Sequence, residues 1–323
     1  MGKGLPVKYR IAVVGFVLFL VADGLLFYAV RQHLDAAVGA PPGDTAGTPS
    51  GTPSGAASSP GPESAGVQGL ELSTSGLLAR VSRGRCTADS RPLIEISADQ
   101  GATFDEIALP LLEAVDDTSL GGRTATVRTV LKVRAASVDQ IAIIGSDEKC
   151  RARQFVTDDG GSSWRQSEVK NLPDSEEGWY VDAAGTGVVA PARATEPGCD
   201  VLALAPVSDR NAKVTCTDGS ILGTDDSGDE WVRLGDLDQV AGLTFATLRD
   251  GYAAAPGDDC EARAYETSDA GGRWEPLGCI AKDERASALV GSTGRLYGLV
   301  DGVVQISTDG GQKWELADDQ AAG

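Results

Sequence analysis

One eight-residue pattern occurs five times in this chain and limits the folds open to it. It consists of Ser or Thr, Asp two positions later, Gly two positions after that, and Trp or Phe three positions further on. We call each copy a box. The five boxes are Ser97-x-Asp99-x-Gly101-x-x-Phe104, Thr157-x-Asp159-x-Gly161-x-x-Trp164, Thr224-x-Asp226-x-Gly228-x-x-Trp231, Thr267-x-Asp269-x-Gly271-x-x-Trp274 and Ser307-x-Asp309-x-Gly311-x-x-Trp314. Recurrence of this kind predicts one structural unit that is used several times.

The residue types in a box predict a tight turn between two strands. Short apolar runs flank the boxes, as Val303–Ile306 does before the last one. In such a turn the Asp carboxylate accepts hydrogen bonds from backbone N–H groups, and Gly supplies the position with positive φ. The aromatic residue then begins the next strand and packs back over the turn. Four of the five tryptophans of the chain occupy this position, so we interpret the boxes as structural rather than as calcium ligands.

The boxes resemble the Asp-box, or bacterial neuraminidase repeat, S/T-x-D-x-G-x-x-W. This resemblance implies an all-β fold, a β-propeller of four-stranded blades, in which each box joins the third and fourth strands of a blade. The last two intervals between boxes match the roughly 40–50 residues of one blade, and the first two are longer, which predicts five or six blades. Residues 179–192 then form a degenerate blade without a box or a long hairpin. We expect ring closure to borrow a strand from residues 70–82.

The N-terminal region predicts a membrane anchor. Residues 1–10 are basic, and residues 11–30 form an apolar run interrupted by Asp23. About 20 apolar residues cross a bilayer, and the basic flank stays in the cytoplasm. We therefore predict a single-pass cell-membrane protein with cytoplasmic residues 1–10, a transmembrane signal-anchor helix at 11–30 and an extracytoplasmic remainder. The alternative is a signal peptide cleaved after Ala40.

Composition separates the segments that follow the anchor. Residues 31–69 are rich in Pro, Gly, Ser and Thr, which predicts a disordered linker. The propeller is expected at residues 70–318, followed by a polar tail at 319–323.

The six cysteines all lie on the predicted extracytoplasmic side. They include no C-x-x-C motif, and an even count in an oxidising compartment predicts disulfides. Two pairs, Cys199–Cys216 and Cys260–Cys279, each bracket one predicted turn, which leaves Cys86–Cys150. A rival set joins neighbouring blades through Cys86–Cys150 and Cys216–Cys260.

Charge and histidine content exclude several classes of function. The net charge of −19 argues against a nucleic-acid partner. The single histidine, His33, precedes the boxes, so the repeat region has no Ser-His-Asp triad and no His-based zinc site. We predict no metal and no cofactor.

The resemblance leaves two classes of function open. Asp-box proteins include sialidases, which share an Arg-Ile-Pro motif before the first box, whereas this chain has Arg91-Pro92-Leu93-Ile94 there. They also include sortilin-like receptors and a photosystem II assembly factor, which bind proteins. We predict a non-enzymatic protein-binding or assembly scaffold module whose partner is an envelope protein. The alternative is a carbohydrate-active module, either a lectin-like glycan binder or a glycosidase resembling sialidases.

One local cluster is a candidate ligand contact. It contains two carboxylates beside an aromatic pair: Glu176, Glu177, Trp179 and Tyr180. Such a group can stack a sugar ring or anchor a peptide. The other interpretation is an inward-facing strand start with solvated glutamates. Two carboxylates about 5–10 Å apart in the central channel would favour a glycosidase, and a broad apolar patch on one face would favour a protein partner.

Overall fold

The computed structural model describes residues 68–86, 91–112, 125–147, 149–167, 178–191 and 193–317. All regular elements in these ranges are β-strands. None of the described residues forms a helix that is long and apolar enough to cross a membrane. The predicted anchor, most of the predicted linker and the C-terminal tail lie outside the described residues.

The first half of the chain forms two four-stranded antiparallel sheets with a short hairpin between them. Sheet one contains β1 (Gln68–Leu72), β2 (Leu78–Ser82), β3 (Leu93–Ser97) and β4 (Asp105–Ile107). The hairpin is β5 (Leu111–Leu112) and β6 (Ala125–Thr126). Sheet two contains β7 (Thr129–Ala135), β8 (Ile141–Ser146), β9 (Ala152–Thr157) and β10 (Arg165–Ser167).

The second half forms one sheet of three strands and three sheets of four. Sheet three contains β11 (Tyr180–Val181), β12 (Val188–Val189) and β13 (Ala194–Thr195). Sheet four contains β14 (Val201–Pro206), β15 (Ala212–Cys216), β16 (Ser220–Thr224) and β17 (Val232–Asp236). Sheet five contains β18 (Gly242–Phe245), β19 (Gly251–Gly257), β20 (Cys260–Thr267) and β21 (Glu275–Ala281). Sheet six contains β22 (Ala286–Ser292), β23 (Arg295–Val300), β24 (Val303–Ser307) and β25 (Glu315–Leu316).

The six sheets are the blades of a β-propeller. The first strand of each blade is innermost, and these strands contact one another in turn: β22 meets β1 and β18, β14 meets β18 and β11, and β11 meets β7. Residues 179–192, which the sequence left open, contribute the first two strands of the third blade, and that blade has no box. The predicted all-β propeller is therefore confirmed, with six blades.

Ring closure differs from the sequence-based expectation. Residues 78–82 form β2, which pairs with β1 and β3 inside the first blade. The last blade takes all four of its strands from residues 286–316. The expectation of a borrowed strand was wrong because β25, although short, already supplies a fourth strand. Side chains close the ring instead, through a cluster that includes Leu70 and Leu78 of the first blade with Tyr297, Leu299 and Val304 of the last.

The core lies between blades, because both faces of each sheet pack against neighbours. Along β20, Cys260, Ala262 and Ala264 are buried and Glu261 is exposed, the period-two alternation of a strand. The largest cluster joins the first two blades and includes Ile94, Val133 and Ile143. The blades are thus held by side-chain packing around a central channel.

Three disulfides bridge all six cysteines. They are Cys86–Cys150, Cys199–Cys216 and Cys260–Cys279. The rival pairing of Cys216 with Cys260 is excluded because each bonds elsewhere. Cys86–Cys150 links the first two blades, and the other two disulfides each lie within or beside one blade.

Candidate functional site

The five boxes share one hydrogen-bonded turn between the third and fourth strands of their blades. In each box, the Ser or Thr hydroxyl donates to the Asp Oδ1 over 2.7–2.9 Å. The same hydroxyl oxygen accepts the Gly N–H over 2.7–3.0 Å. The Asp Oδ1 also accepts the N–H four residues later, over 2.8–3.1 Å. The Ser or Thr hydroxyl and the Asp carboxylate of each box therefore form hydrogen bonds within their own turn.

The box glycines permit close contact with the preceding blade. Their φ values lie between 84° and 100°, a region that side chains disfavour. A Cβ atom on Gly161 would lie 2.7 Å from Ile107 Cγ2, and one on Gly311 would lie 3.0 Å from Leu277 Cδ1. Both neighbours belong to the blade before the box. The boxes thus join blades to one another.

The hydrogen bonds of the boxes favour ionised aspartates. The Ser163 hydroxyl, followed by the Ser163 N–H and the Thr157 hydroxyl, lowers the pKa of Asp159 to about 2. The pKa of each of the other four box aspartates is also lowered, chiefly by hydrogen bonds within the turn. Among the described residues, no group of three His, Cys, Asp or Glu is placed to hold a metal ion.

The candidate cluster from the sequence is divided by the structure. Glu176 and Glu177 lie outside the described residues. The Trp179 side chain is fully buried, its Nε1 donates to Ser208 O over 2.7 Å, and its ring meets Trp231 edge to face at 6.3 Å. The indole has no exposed face on which a sugar ring could stack. Tyr180 is also buried, and this burial, together with the charge of Asp182, raises its pKa.

A central channel runs between the innermost strands of the six blades. It has a volume of about 460 Å³, and most of its lining residues are glycine or have apolar side chains. The charged side chains among its described lining residues are Glu71, Arg83 and Lys132. Lys132 Nζ lies 2.8 Å from Glu71 Oε2, which links the first two blades. The channel lining described here therefore contains one carboxylate, and that carboxylate is already paired.

A second cavity lies between the fourth, fifth and sixth blades. It has a volume of about 290 Å³, and its lining includes Leu202, Val240, Ala255, Pro256 and Ala286. Leu202 is 45% exposed, whereas Val240 and Ala255 are buried. The Arg285–Glu261 ion pair, 3.2 Å long, lies on its rim. We call this cavity the apolar groove.

The apolar groove and the boxes lie at opposite ends of the blades. Strand β20 begins at Cys260, beside the groove residues Glu261 and Ala262, and ends at Thr267, the first residue of the fourth box. Its eight residues span roughly 25 Å at the usual strand rise. Leu202 stands near the start of β14, whose other end, Pro206, pairs with Ala212 next to the third box. The groove therefore opens on the face opposite the boxes.

Sequence reasoning expected a central channel but did not identify its charged lining residues, and it missed the apolar groove. Leu202 and the other groove residues belong to different blades and share no local pattern. Lys132 and Lys213 do carry a signal, because each interrupts an apolar strand. Lys213 is 5% exposed, its Nζ donates to Leu248 O over 2.9 Å and lies 4.2 Å from the centre of the Phe245 ring. Charged residues at such positions indicate contacts between blades.

No protein-family model matches this chain, and no curated protein matches it. Solved structures do match. YCF48 from Cyanidioschyzon merolae is 15% identical with a TM-score of 0.45, covering 74% of this chain and 81% of that one. A Trypanosoma rangeli sialidase mutant displaying trans-sialidase activity is 13% identical with a TM-score of 0.42, covering 75% and 53%. The Niastella koreensis GH74 enzyme is 15% identical with a TM-score of 0.38, covering 78% and 37%. Similarity at this level does not transfer a function.

Proposed function

We propose that this chain is a membrane-anchored, extracytoplasmic β-propeller that binds an envelope protein and is not itself an enzyme. The observation that carries the proposal is the apolar groove on the face opposite the boxes. Two features support the location. Residues 11–30 are apolar enough to span a bilayer, and all six cysteines are paired in disulfides, which persist in oxidising compartments.

The groove is suited to an apolar anchor of a partner protein. Leu202 stands 45% exposed beside a cavity whose apolar wall includes Val240, Ala255 and Ala286. Because 45% of Leu202 is exposed, covering the rest of it against a partner contributes roughly half of the value for full burial of a leucine, about 1 kcal/mol. The groove spans three blades, and one of them carries the Cys260–Cys279 disulfide, so little ordering is required on binding. A preorganised apolar pocket of this kind favours a protein segment.

Charge indicates the chemistry of the partner. The chain has a net charge of −19, so long-range attraction favours a basic partner. At the rim, Glu261 and Arg285 are 50% and 68% exposed and neutralise one another. We therefore expect a segment with an apolar side chain for the groove and basic residues on either side of it.

The carbohydrate-active alternative has less support. A glycosidase needs two carboxylates across its cleft. Among the described residues that line the channel, Glu71 is the single carboxylate, and Lys132 Nζ lies 2.8 Å from it. Trp179, the aromatic residue proposed to stack a sugar, is fully buried.

Substitution of Leu202 tests the binding site. Leu202→Asp places a charge in the groove, and Leu248→Asp is the matched control because Leu248 is 52% exposed at the other end of the blades. After crosslinking of the full-length chain in cells, we expect the Leu202 variant to lose at least about tenfold of one specific adduct. The control should keep that adduct. Equal yields from both variants would place the partner elsewhere.

Protease protection tests the membrane orientation. Protease added to intact spheroplasts should digest the propeller and leave a tag at residues 1–10 protected. Full protection of the propeller until the cells are lysed would refute the extracytoplasmic location.

A further inference from the structure

The net charge of the described side chains that line the central channel is opposite in sign to the net charge of the chain. The chain carries −19. The described residues of the channel lining carry one negative side chain, Glu71, and two positive ones, Arg83 and Lys132. The channel wall thus has a surplus of one positive charge.

The three charged residues lie along one side of β1, where the first two blades meet. Lys132 Nζ approaches Glu71 Oε2 at 2.8 Å, and both side chains are largely buried, at 19% and 25% exposed. Arg83 extends over Gly69, where an added Cβ atom would lie 3.7 Å from the Arg83 Nε. Gly69 and Glu71 are two residues apart on β1 and so face the same side, about 7 Å from one another. Arg83 Nε therefore lies on the same side of β1 as Glu71, about two residues along the strand from the Glu71–Lys132 pair.

Arg83 is the member of this group that lacks a partner. Its side chain is half-buried. No residue in the described part of the chain forms an ion pair or hydrogen bond with its guanidinium, and the carboxylate nearest along β1 is already bound to Lys132. A partly desolvated cation without a counter-charge favours binding of an anion.

We propose that Arg83 and Lys132 form a binding site for a small monocarboxylate in the central channel. The planar guanidinium matches a carboxylate through two parallel hydrogen bonds. The spare charge is one, and Glu71 repels ligands of higher charge. Leu131, Leu204 and Leu243 line the same channel and provide an apolar wall for the body of the ligand. Leu202 and Ala241 line both the channel and the apolar groove, whereas Arg83 and Lys132 line the channel and not the groove, so the carboxylate site does not depend on the proposed protein partner.

Calorimetric titration of the full-length chain tests the site with three probes. Benzoate carries the carboxylate, benzamide has the same shape without the charge, and inorganic phosphate is an anion of higher charge. We expect benzoate to bind and benzamide and phosphate to bind at least about tenfold more weakly.

Two variants of the site should respond in opposite directions. Arg83→Met should weaken benzoate binding by at least about tenfold, and Glu71→Gln, which frees Lys132, should strengthen it. Arg233→Met is the control, because Arg233 is 61% exposed on an outer strand and pairs with Asp236, and it should change nothing. Thermal unfolding of each variant checks that it is folded. The proposal is overturned by equal binding of benzoate and benzamide, by tighter binding of phosphate, or by a folded Arg83 variant with unchanged affinity. It is also overturned if neither the unsubstituted chain nor Glu71→Gln binds benzoate.

Discussion

Gly101 of the first box lies against Val304 of the last blade. A Cβ atom at position 101 would stand 2.8 Å from Val304 Cγ1. Arg80 supports the same junction, because it donates to Gly302 O of the last blade, pairs with Glu95 and lies 4.4 Å from the centre of the Phe104 ring. The first box thus closes the ring by the same contact with the preceding blade that other boxes make along it.

Substitution of Gly101 by alanine should open this junction. The φ of Gly101 is 95° and that of Gly76 is 84°, so alanine is strained at both positions. A Cβ atom at Gly76 meets nothing within 4 Å, which makes Gly76→Ala the matched control. We expect Gly101→Ala to lower the free energy of unfolding by about 1–3 kcal/mol more than the control does. Equal losses in urea unfolding would show that the contact with Val304 contributes nothing.

The hydroxyl group of a box Ser or Thr should stabilise the fold by more than its small size suggests. Thr267 Oγ1 is buried, accepts the Gly271 N–H and donates to Asp269. Thr267→Val keeps the shape and leaves that N–H without a partner, so we expect a loss of about 1–3 kcal/mol in the free energy of unfolding. Crosslinking to a partner should be unchanged in the folded fraction. A variant that unfolds normally but loses its partner would contradict the structural role of the boxes.

Acid should weaken the propeller through the box aspartates. Hydrogen bonds of the turn, led by the Ser163 hydroxyl, lower the pKa of Asp159 from 3.8 to about 2. A depressed carboxyl pKa stabilises the folded chain above the unfolded pKa, and this contribution is lost as the pH falls through the folded value. Unfolding free energy should therefore decline between about pH 4 and about pH 2. The free energy of unfolding of the Asp159→Asn variant should decline less steeply over that interval. An identical slope for the two proteins would show that Asp159 does not cause the decline.

Lys213 should make the free energy of unfolding rise with pH in alkali, the same direction that the box aspartates give in acid. Burial lowers its pKa from 10.5 to about 8, so the unfolded chain binds more protons between these values. Stability should rise with pH through this window by on the order of 2 kcal/mol relative to Lys213→Met. The comparison is made by urea unfolding below the pH at which tyrosines ionise. Parallel curves for the two proteins would show that Lys213 titrates normally.

The sequence predicts those features of the fold that repeat. A box recurs because the same turn joins the third and fourth strands of every blade that contains one. The strands beside the boxes and the propeller fold can therefore be predicted from the sequence. The way in which the ring closes could not be predicted, because Gly101 and Val304 are about two hundred residues apart and their contact depends on the number of blades. The third blade was ambiguous because it lacks a box and has short strands.

The candidate site was harder to predict from the sequence, because its residues come from different blades. Trp179 is prominent in the sequence as the tryptophan outside a box, yet its indole is buried against Trp231. Leu202 is unremarkable in the sequence, and it becomes a binding candidate because Val240 and Ala286, from other blades, lie beside it. Such neighbours are set by the closure of the ring, which no local pattern records.

The most direct test of the proposed function is site-specific photocrosslinking in cells. A photoreactive residue is placed at Leu202, in the groove, or at Leu248, which is similarly exposed at the opposite end of the blades. We predict a discrete adduct with one envelope protein from position 202 and no such adduct from position 248. Adducts of equal yield from both positions, or an adduct from position 248 alone, would contradict a partner bound at the apolar groove.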